Sequence, residues 1–177
     1  MVLEEDGIRM SVKGEPTIFR YILVAFVILA LDQWTKWLVV HKMDLYQTIP
    51  LWEDVFHITS HRNRGAAFGI LENQQWLFIL VTVLVVVGIL VYLVRLKKSQ
   101  PLLSWSLALI LGGALGNLLD RIRWGEVVDF LDFRWIHYPI FNVADSSIVV
   151  GVGIMLLYTL RQPEEKEEPL AKGAEDL

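Results

Sequence analysis

Four long apolar runs separated by polar stretches lay out the chain. The first, residues 18–40, is interrupted only by Arg20, Asp32, Gln33, Thr35 and Lys36. The second, 76–94, is interrupted by Thr82, Gly88 and Tyr92, and the third, 102–119, opens behind Pro101. The fourth runs from about 141 to 160 and stops at Arg161 and Pro163. A helix rises about 1.5 Å per residue, so about 20 residues cross the hydrocarbon of a bilayer. Each run therefore predicts a transmembrane helix. Within the first, 21–31 has the length of a signal peptide's apolar region, but no small-x-small cleavage site follows. Trp34, Trp37, Leu38, Val39 and Val40 extend it to spanning length, which predicts an uncleaved helix. The runs carry no inverted repeat of the transporter kind.

The polar stretches add less regular elements. In 41–74, Val55-Phe56-His57-Ile58-Thr59 alternates in part and is β-branched, predicting a short strand. Arg62-Asn63-Arg64-Gly65-Ala66-Ala67-Phe68-Gly69 follows. Its two glycines suit either an ordinary turn or close approach of another chain. Around Asp129, Glu126-Val127-Val128-Asp129-Phe130-Leu131-Asp132 predicts an amphipathic or strand-like segment at the interface. Residues 1–17 read as a polar extension, 18–161 as the membrane domain, and 162–177 as an acidic, solvated tail.

Composition sharpens this picture. The chain has 177 residues, 54% of them hydrophobic, and a mean hydropathy of +0.46, well above a soluble domain. With no cysteine, disulfides, thiolate metal sites and cysteine nucleophiles are excluded. The formal charge of −4 resides in the tail, whose six acids and two lysines leave the rest near neutral. No basic patch points to nucleic acid. Three bases in the seven residues 95–101 make the second loop the densest in positive charge. It is therefore expected on the cytoplasmic side with both termini, and the 41–74 and 120–142 segments on the outer face.

Ionisable residues within or beside spans are costly and usually functional. Asp32 and Lys36, four apart on the first helix, suit an ion pair. It reads either as a snorkelling anchor or as Asp32 bracing a site from the neighbouring helix. Gly112 and Gly116 form a small-xxx-small pair for close helix packing. Gly113, Asn117, Asp120 and Arg121 fall on one helical stripe that would point into a bundle. Asp120 and Arg121 suit either a generic helix end or, for Arg121, a fork onto a carboxylate or peptide carbonyl. Asp145 lies about one turn into the fourth span, as an interfacial cap or a reactive carboxylate. Asp132 reads as a surface acid, and His41, His57 and His61 as surface or interfacial residues. We read Asp129 and Asp145 as a catalytic pair acting on a peptide bond at a membrane surface. Two carboxylates close together cannot both ionise easily, so one accepts a proton from water while the other donates to the scissile carbonyl. Ser146 and Ser147 lack a His–Asp signature, and no His-Glu-x-x-His zinc motif exists.

Asp32-Gln33-x-Thr35-Lys36, Asn63-x-Gly65-Ala66-Ala67-Phe68, Gly113-Ala114-x-Gly116-Asn117-x-x-Asp120-Arg121, Val127-Val128-Asp129-Phe130 and Phe141-Asn142-x-Ala144-Asp145-Ser146 occur in this order. Together they resemble the bacterial lipoprotein signal peptidases, the signal peptidase II family, over almost all of 18–161. The resemblance implies an all-α integral membrane protein of four transmembrane helices, with a small extracytoplasmic β-cradle and an amphipathic segment. It implies an aspartic endopeptidase of the bacterial cytoplasmic (inner) membrane that cuts diacylglyceryl-modified prolipoproteins on the amino side of the lipidated cysteine. Asp129 and Asp145 match the catalytic aspartates. Asn63 and Arg121 match residues that hold substrate or a peptide antibiotic such as globomycin. Asp32, Asn117, Asp120 and Asn142 match residues that shape the site, and Gly65 falls within a shared motif. Asn117 and Asn142 are taken as substrate-binding as well.

No cofactor or metal is expected, and the partners expected are prolipoproteins and membrane lipids around a monomer. Two rival readings stay open. A proton or ion carrier would place acids at mid-span, whereas Asp129 and Asp145 lie near one face. A metal-dependent lipid phosphatase would use the acids as Mg²⁺ ligands.

Overall fold

The computed structural model describes residues 18–65, 71, 73–95, 100–136 and 138–161. The polar extension 1–17, the acidic tail 162–177, the Ala66–Gly69 part of the glycine-bracketed stretch and the lysines of the second loop lie outside them. Among the described residues four helices are long and apolar enough to cross a membrane: α1 (Ile18–Lys42), α2 (Gln75–Arg95), α3 (Pro101–Trp124) and α4 (Val143–Leu160). Three strands join them: β1 (Thr48–Trp52) and β2 (Phe56–Asn63) between α1 and α2, and β3 (Val127–Phe133) between α3 and α4.

Helix α3 is the axis of the bundle and packs against α1, α2 and α4. Its glycines explain why. A Cβ on Gly112 would stand 2.6 Å from the Ala25 carbonyl oxygen of α1, and one on Gly116 would stand 2.5 Å from Asp32 Oδ2. Only a residue without a side chain permits such approach, and in lipid close packing is what holds helices together. An apolar cluster of Ala25, Val86, Ile89, Leu93, Ile110, Leu111 and Ala114 fills the bundle away from the sheet. Most other large apolar side chains face outward, as expected where hydrocarbon replaces water.

Helix α3 runs five residues past the expected end of its span and carries Asp120 and Arg121, as their place on one helical stripe implies. It ends at Gly125, whose φ of 69° supplies the left-handed cap.

The sheet is antiparallel in the order β1-β2-β3. Strand β1 was not expected, β2 extends the expected 55–59 strand to Asn63, and the segment around Asp129 is a strand. A bulge in β2 sets the chemistry. Ile58 pairs with Leu131, but His61 pairs with Asp129 and Asn63 with Val127, so two β2 residues oppose one on β3. A bulge of this kind shifts every later side chain to the other face. Without it Arg62 would share the face of Asp129; with it Asn63 does.

Two expectations are corrected here. Asp132 is buried and accepts hydrogen bonds from Thr59 Oγ1 at 2.7 Å and Arg134 Nε at 3.1 Å, because β2 and Arg134 cover it. His57 is likewise buried in β2, whereas His41 is exposed and stacks on Trp37.

Candidate active site

Asp129 and Asp145 line one cleft of about 270 Å³, together with Asn63, Gly65, Asn117 and Arg121. Each arrives by a separate device. Asp129 sits mid-strand on β3, 1% exposed. Phe141 bridges to Leu131, taking N–H groups from both Phe130 and Leu131. This lays the start of α4 alongside β3 and delivers Asn142 next to Asp129.

Asn142 is fully buried and caps α4. Its Oδ1 accepts the Asp145 N–H at 2.9 Å, while Asp145 Oδ2 accepts the Asn142 N–H at 3.3 Å. This reciprocal capping box holds the Asp145 side chain at the helix mouth. Asp145 is therefore both the interfacial cap and a cleft carboxylate. From the same residue, Asn142 Nδ2 donates to Asp129 Oδ1 at 2.7 Å. One side chain thus positions both aspartates. Asn63 Nδ2 donates to Asp129 Oδ2 at 3.0 Å, and Asn63 Oδ1 accepts the Gly65 N–H at 2.9 Å. Asn117 Nδ2 donates to Asp145 Oδ1 at 2.7 Å.

Behind the cleft lies a buried ionic cluster. Lys36 Nζ reaches Asp32 Oδ2, Asp120 Oδ2 and Asn117 Oδ1, each at 2.9 Å. An ammonium has three hydrogens, and each has an acceptor. Asp32 Oδ1 also accepts the Ala144 N–H of α4 at 2.9 Å, and Asp120 accepts Gln33 Nε2 at 2.9 Å and the Val128 N–H at 3.3 Å. Asp32 and Asp120 therefore hold the two backbone segments next to Asp145 and Asp129. The proposed stripe on α3 divides: Gly113 meets α4, Asn117 and Asp120 join the cluster, and Arg121 turns to the cleft. Arg121 Nε is buried without a hydrogen-bond partner among the described residues, and its guanidinium lies 4.9 Å from the Phe78 ring centre.

Burial, and then the neighbouring Asp145, push the Asp129 carboxyl up to about 7, against opposing hydrogen bonds from Asn63 and Asn142. A carboxyl so placed carries a proton near neutrality.

Lys36 was read from sequence only as the ion-pair partner of Asp32, and its bond to Asn117 was missed. The signal was present: two acids on spanning helices need a buried cation. Phe78 and Tyr138 also line the cleft and carry no sequence signal beyond being aromatic. Among the described residues no three His, Cys, Asp or Glu side chains converge as a metal-holding group.

Residues 24–161 match the family model described as Signal peptidase (SPase) II. A protein named lipoprotein signal peptidase from Brevibacillus brevis is 61% identical over 137 residues, covering 77% of this chain and 92% of that one. One of the same name from Bacillus subtilis is 49% identical over 150 residues, covering 84% and 97%. A solved structure titled as a bacterial membrane enzyme determined by the in meso method at 2.3 Å resolution superposes with a TM-score of 0.79 at 33% identity. It covers 88% of this chain and 96% of that one. The chain belongs to the signal peptidase II family.

Proposed function

We propose that this protein is an aspartic endopeptidase that removes the signal peptide from diacylglyceryl-modified prolipoproteins, on the amino side of the lipidated cysteine. The observation that carries this reading is the shared cleft of Asp129 and Asp145, cross-braced by Asn142. Asp129 enters holding the shared proton and Asp145 enters as the base. Asp145 takes a proton from water as the water attacks the scissile carbonyl, and Asp129 donates to the carbonyl oxygen. No covalent enzyme intermediate forms. The unpartnered Nε of Arg121 supplies a donor for a substrate carbonyl, and Asn63 and Asn117 keep the carboxylates oriented. A peptide antibiotic such as globomycin would compete for the same cleft.

We assign residues 18–161 to the peptidase domain, acting as a monomer in the bacterial inner membrane. The cleft faces outward, with 1–17 and 162–177 as cytoplasmic extensions. Reporter fusions at Glu53 and Gln100 should report opposite sides, outer and inner.

The deciding experiment incubates purified protein with a lipidated precursor and follows release of the signal peptide. The acyl chains act mainly by positioning the scissile bond, so the unlipidated precursor should be cut poorly or not at all. Cleavage should survive excess EDTA. Equal cleavage of both precursors, or EDTA inhibition reversed by Mg²⁺, would overturn this reading.

A further inference from the structure

A second and larger cavity, of about 410 Å³, lies on the other side of the Lys36 cluster from the cleft. It opens between the C-terminal ends of α1 and α3 and the edge of the sheet, where Trp37, Val40, Arg62, Arg123, Trp124 and Glu126 line it. The dyad chemistry uses none of these six.

Its charges do not cancel. Lys36 and Asp120, which form its floor, are already engaged in the buried cluster, where Lys36 also pairs with Asp32. Glu126 is engaged by Arg64 Nε at 3.1 Å, which leaves Arg62 Nε 3.8 Å from the same carboxylate. Arg123 has no ion-pair or hydrogen-bond partner among the described residues. The cavity therefore presents one unpaired guanidinium and one weakly paired one above a floor whose charged groups are held within the buried cluster. Its flanks are apolar and amphipathic. Trp37 and Trp124 are 51% and 71% exposed and stand at the ends of spanning helices, the depth at which indole rings favour the headgroup layer. Forked donors at that depth suit a phosphodiester, and the exposed flank of α1, including Val40, continues toward the hydrocarbon for acyl chains.

We propose that this cavity binds the headgroup of an anionic phospholipid, with the phosphodiester on Arg123 and Arg62 and the glycerol backbone between Trp37 and Trp124. Glu126 is already held by Arg64, so the cavity has no free carboxylate for a choline or ethanolamine cation. This separates an anionic lipid from a zwitterionic one.

The test uses the full chain purified in detergent and native mass spectrometry with phosphatidylglycerol and phosphatidylcholine of matched acyl chains. One phosphatidylglycerol should be retained in preference to phosphatidylcholine. Arg123→Gln and Arg62→Gln should each lower that retention by about tenfold, the scale of one charge-assisted hydrogen bond. Arg20→Gln, exposed at the far end of α1, is the control and should leave retention unchanged. Arg123 is exposed, so its variant should keep the parental melting temperature. Equal retention of the two lipids, or undiminished phosphatidylglycerol binding by folded Arg123→Gln, overturns the proposal. Displacement of the lipid by millimolar glycerol phosphate would show a site for a soluble phosphate instead, and also overturns it.

Discussion

Asp32 on the first helix accepts the backbone N–H of Ala144 on the last, at 2.9 Å across 112 positions of sequence. The carboxylate satisfies one of the open donors at the start of α4, one residue before Asp145. The proposed catalytic geometry is therefore fastened to α1, which among the described residues lends none to the cleft itself.

The dyad should fail as a unit. Asp129→Asn and Asp145→Asn should each abolish turnover of lipidated precursor while the protein still inserts, since Asn neither accepts the proton of water nor returns it. The double variant should be scarcely worse than either single. Asp132→Asn should keep most activity, because its carboxylate serves Thr59 and Arg134 on another part of the sheet. Near-normal cleavage by a folded Asp129→Asn protein would falsify the mechanism.

Acidity of Asp129 predicts a stability profile. Its carboxyl is raised from 3.8 to about 7, so between those values the folded state binds more protons than the unfolded one. Stability from this group is complete below about pH 4 and is lost as pH rises through 7. About three pH units correspond to at most about 4 kcal/mol. Thermal unfolding in detergent should show the parent losing stability from pH 4 to 7 relative to Asp129→Asn. Parallel profiles would remove the raised carboxyl. Cleavage should also decline above about pH 7 as the shared proton leaves.

Removing the buried cation should be severe. Lys36→Met leaves Asp32 and Asp120 facing each other without their ammonium, and breaking a buried pair costs about 3–5 kcal/mol. Lys36→Arg should rescue poorly, because a planar guanidinium does not reproduce three acceptors around one nitrogen. Melting temperatures of both variants, measured alongside kcat, provide the check.

Gly116→Ala places a methyl against Asp32 Oδ2, which is locked by Lys36 and Ala144. Overpacking of this kind costs about 1–3 kcal/mol. The melting temperature should fall, with activity falling alongside as Ala144 and Asp145 shift. Gly88→Ala, whose added Cβ meets nothing within 4 Å, should be neutral in the same assay.

Much of this architecture was legible because lipid allows few solutions. An apolar run of spanning length has to be a helix, and acids beside it need partners. Asp129, Asp145, Asn63 and Arg121 were named from motif and setting, and they line one cleft. What stayed hidden depends on pairing across the sheet. Pro50 argues against strand β1 because it lacks an N–H, yet β1 forms against β2. Nothing local in Thr59 or Ser60 announces the bulge, although it decides that Asn63 rather than Arg62 faces Asp129. The span was expected to end at Leu119, but α3 continues to Trp124, and the pairing of Asp120 with Lys36 depends on the neighbouring helix.

Lys36 and Asp32 lie one turn apart on α1, and this has a consequence for how the protein is made. The first hydrophobic segment leaves the ribosome before α3 exists, so neither Asp120 nor Asn117 is present to receive the ammonium. A lone lysine or aspartate at mid-helix costs about 2.5–3.5 kcal/mol on insertion. Paired along one helix face, the two charges screen each other during transfer into the bilayer. The nascent segment thus carries its own counter-ion, and later helices join a charge pair already assembled.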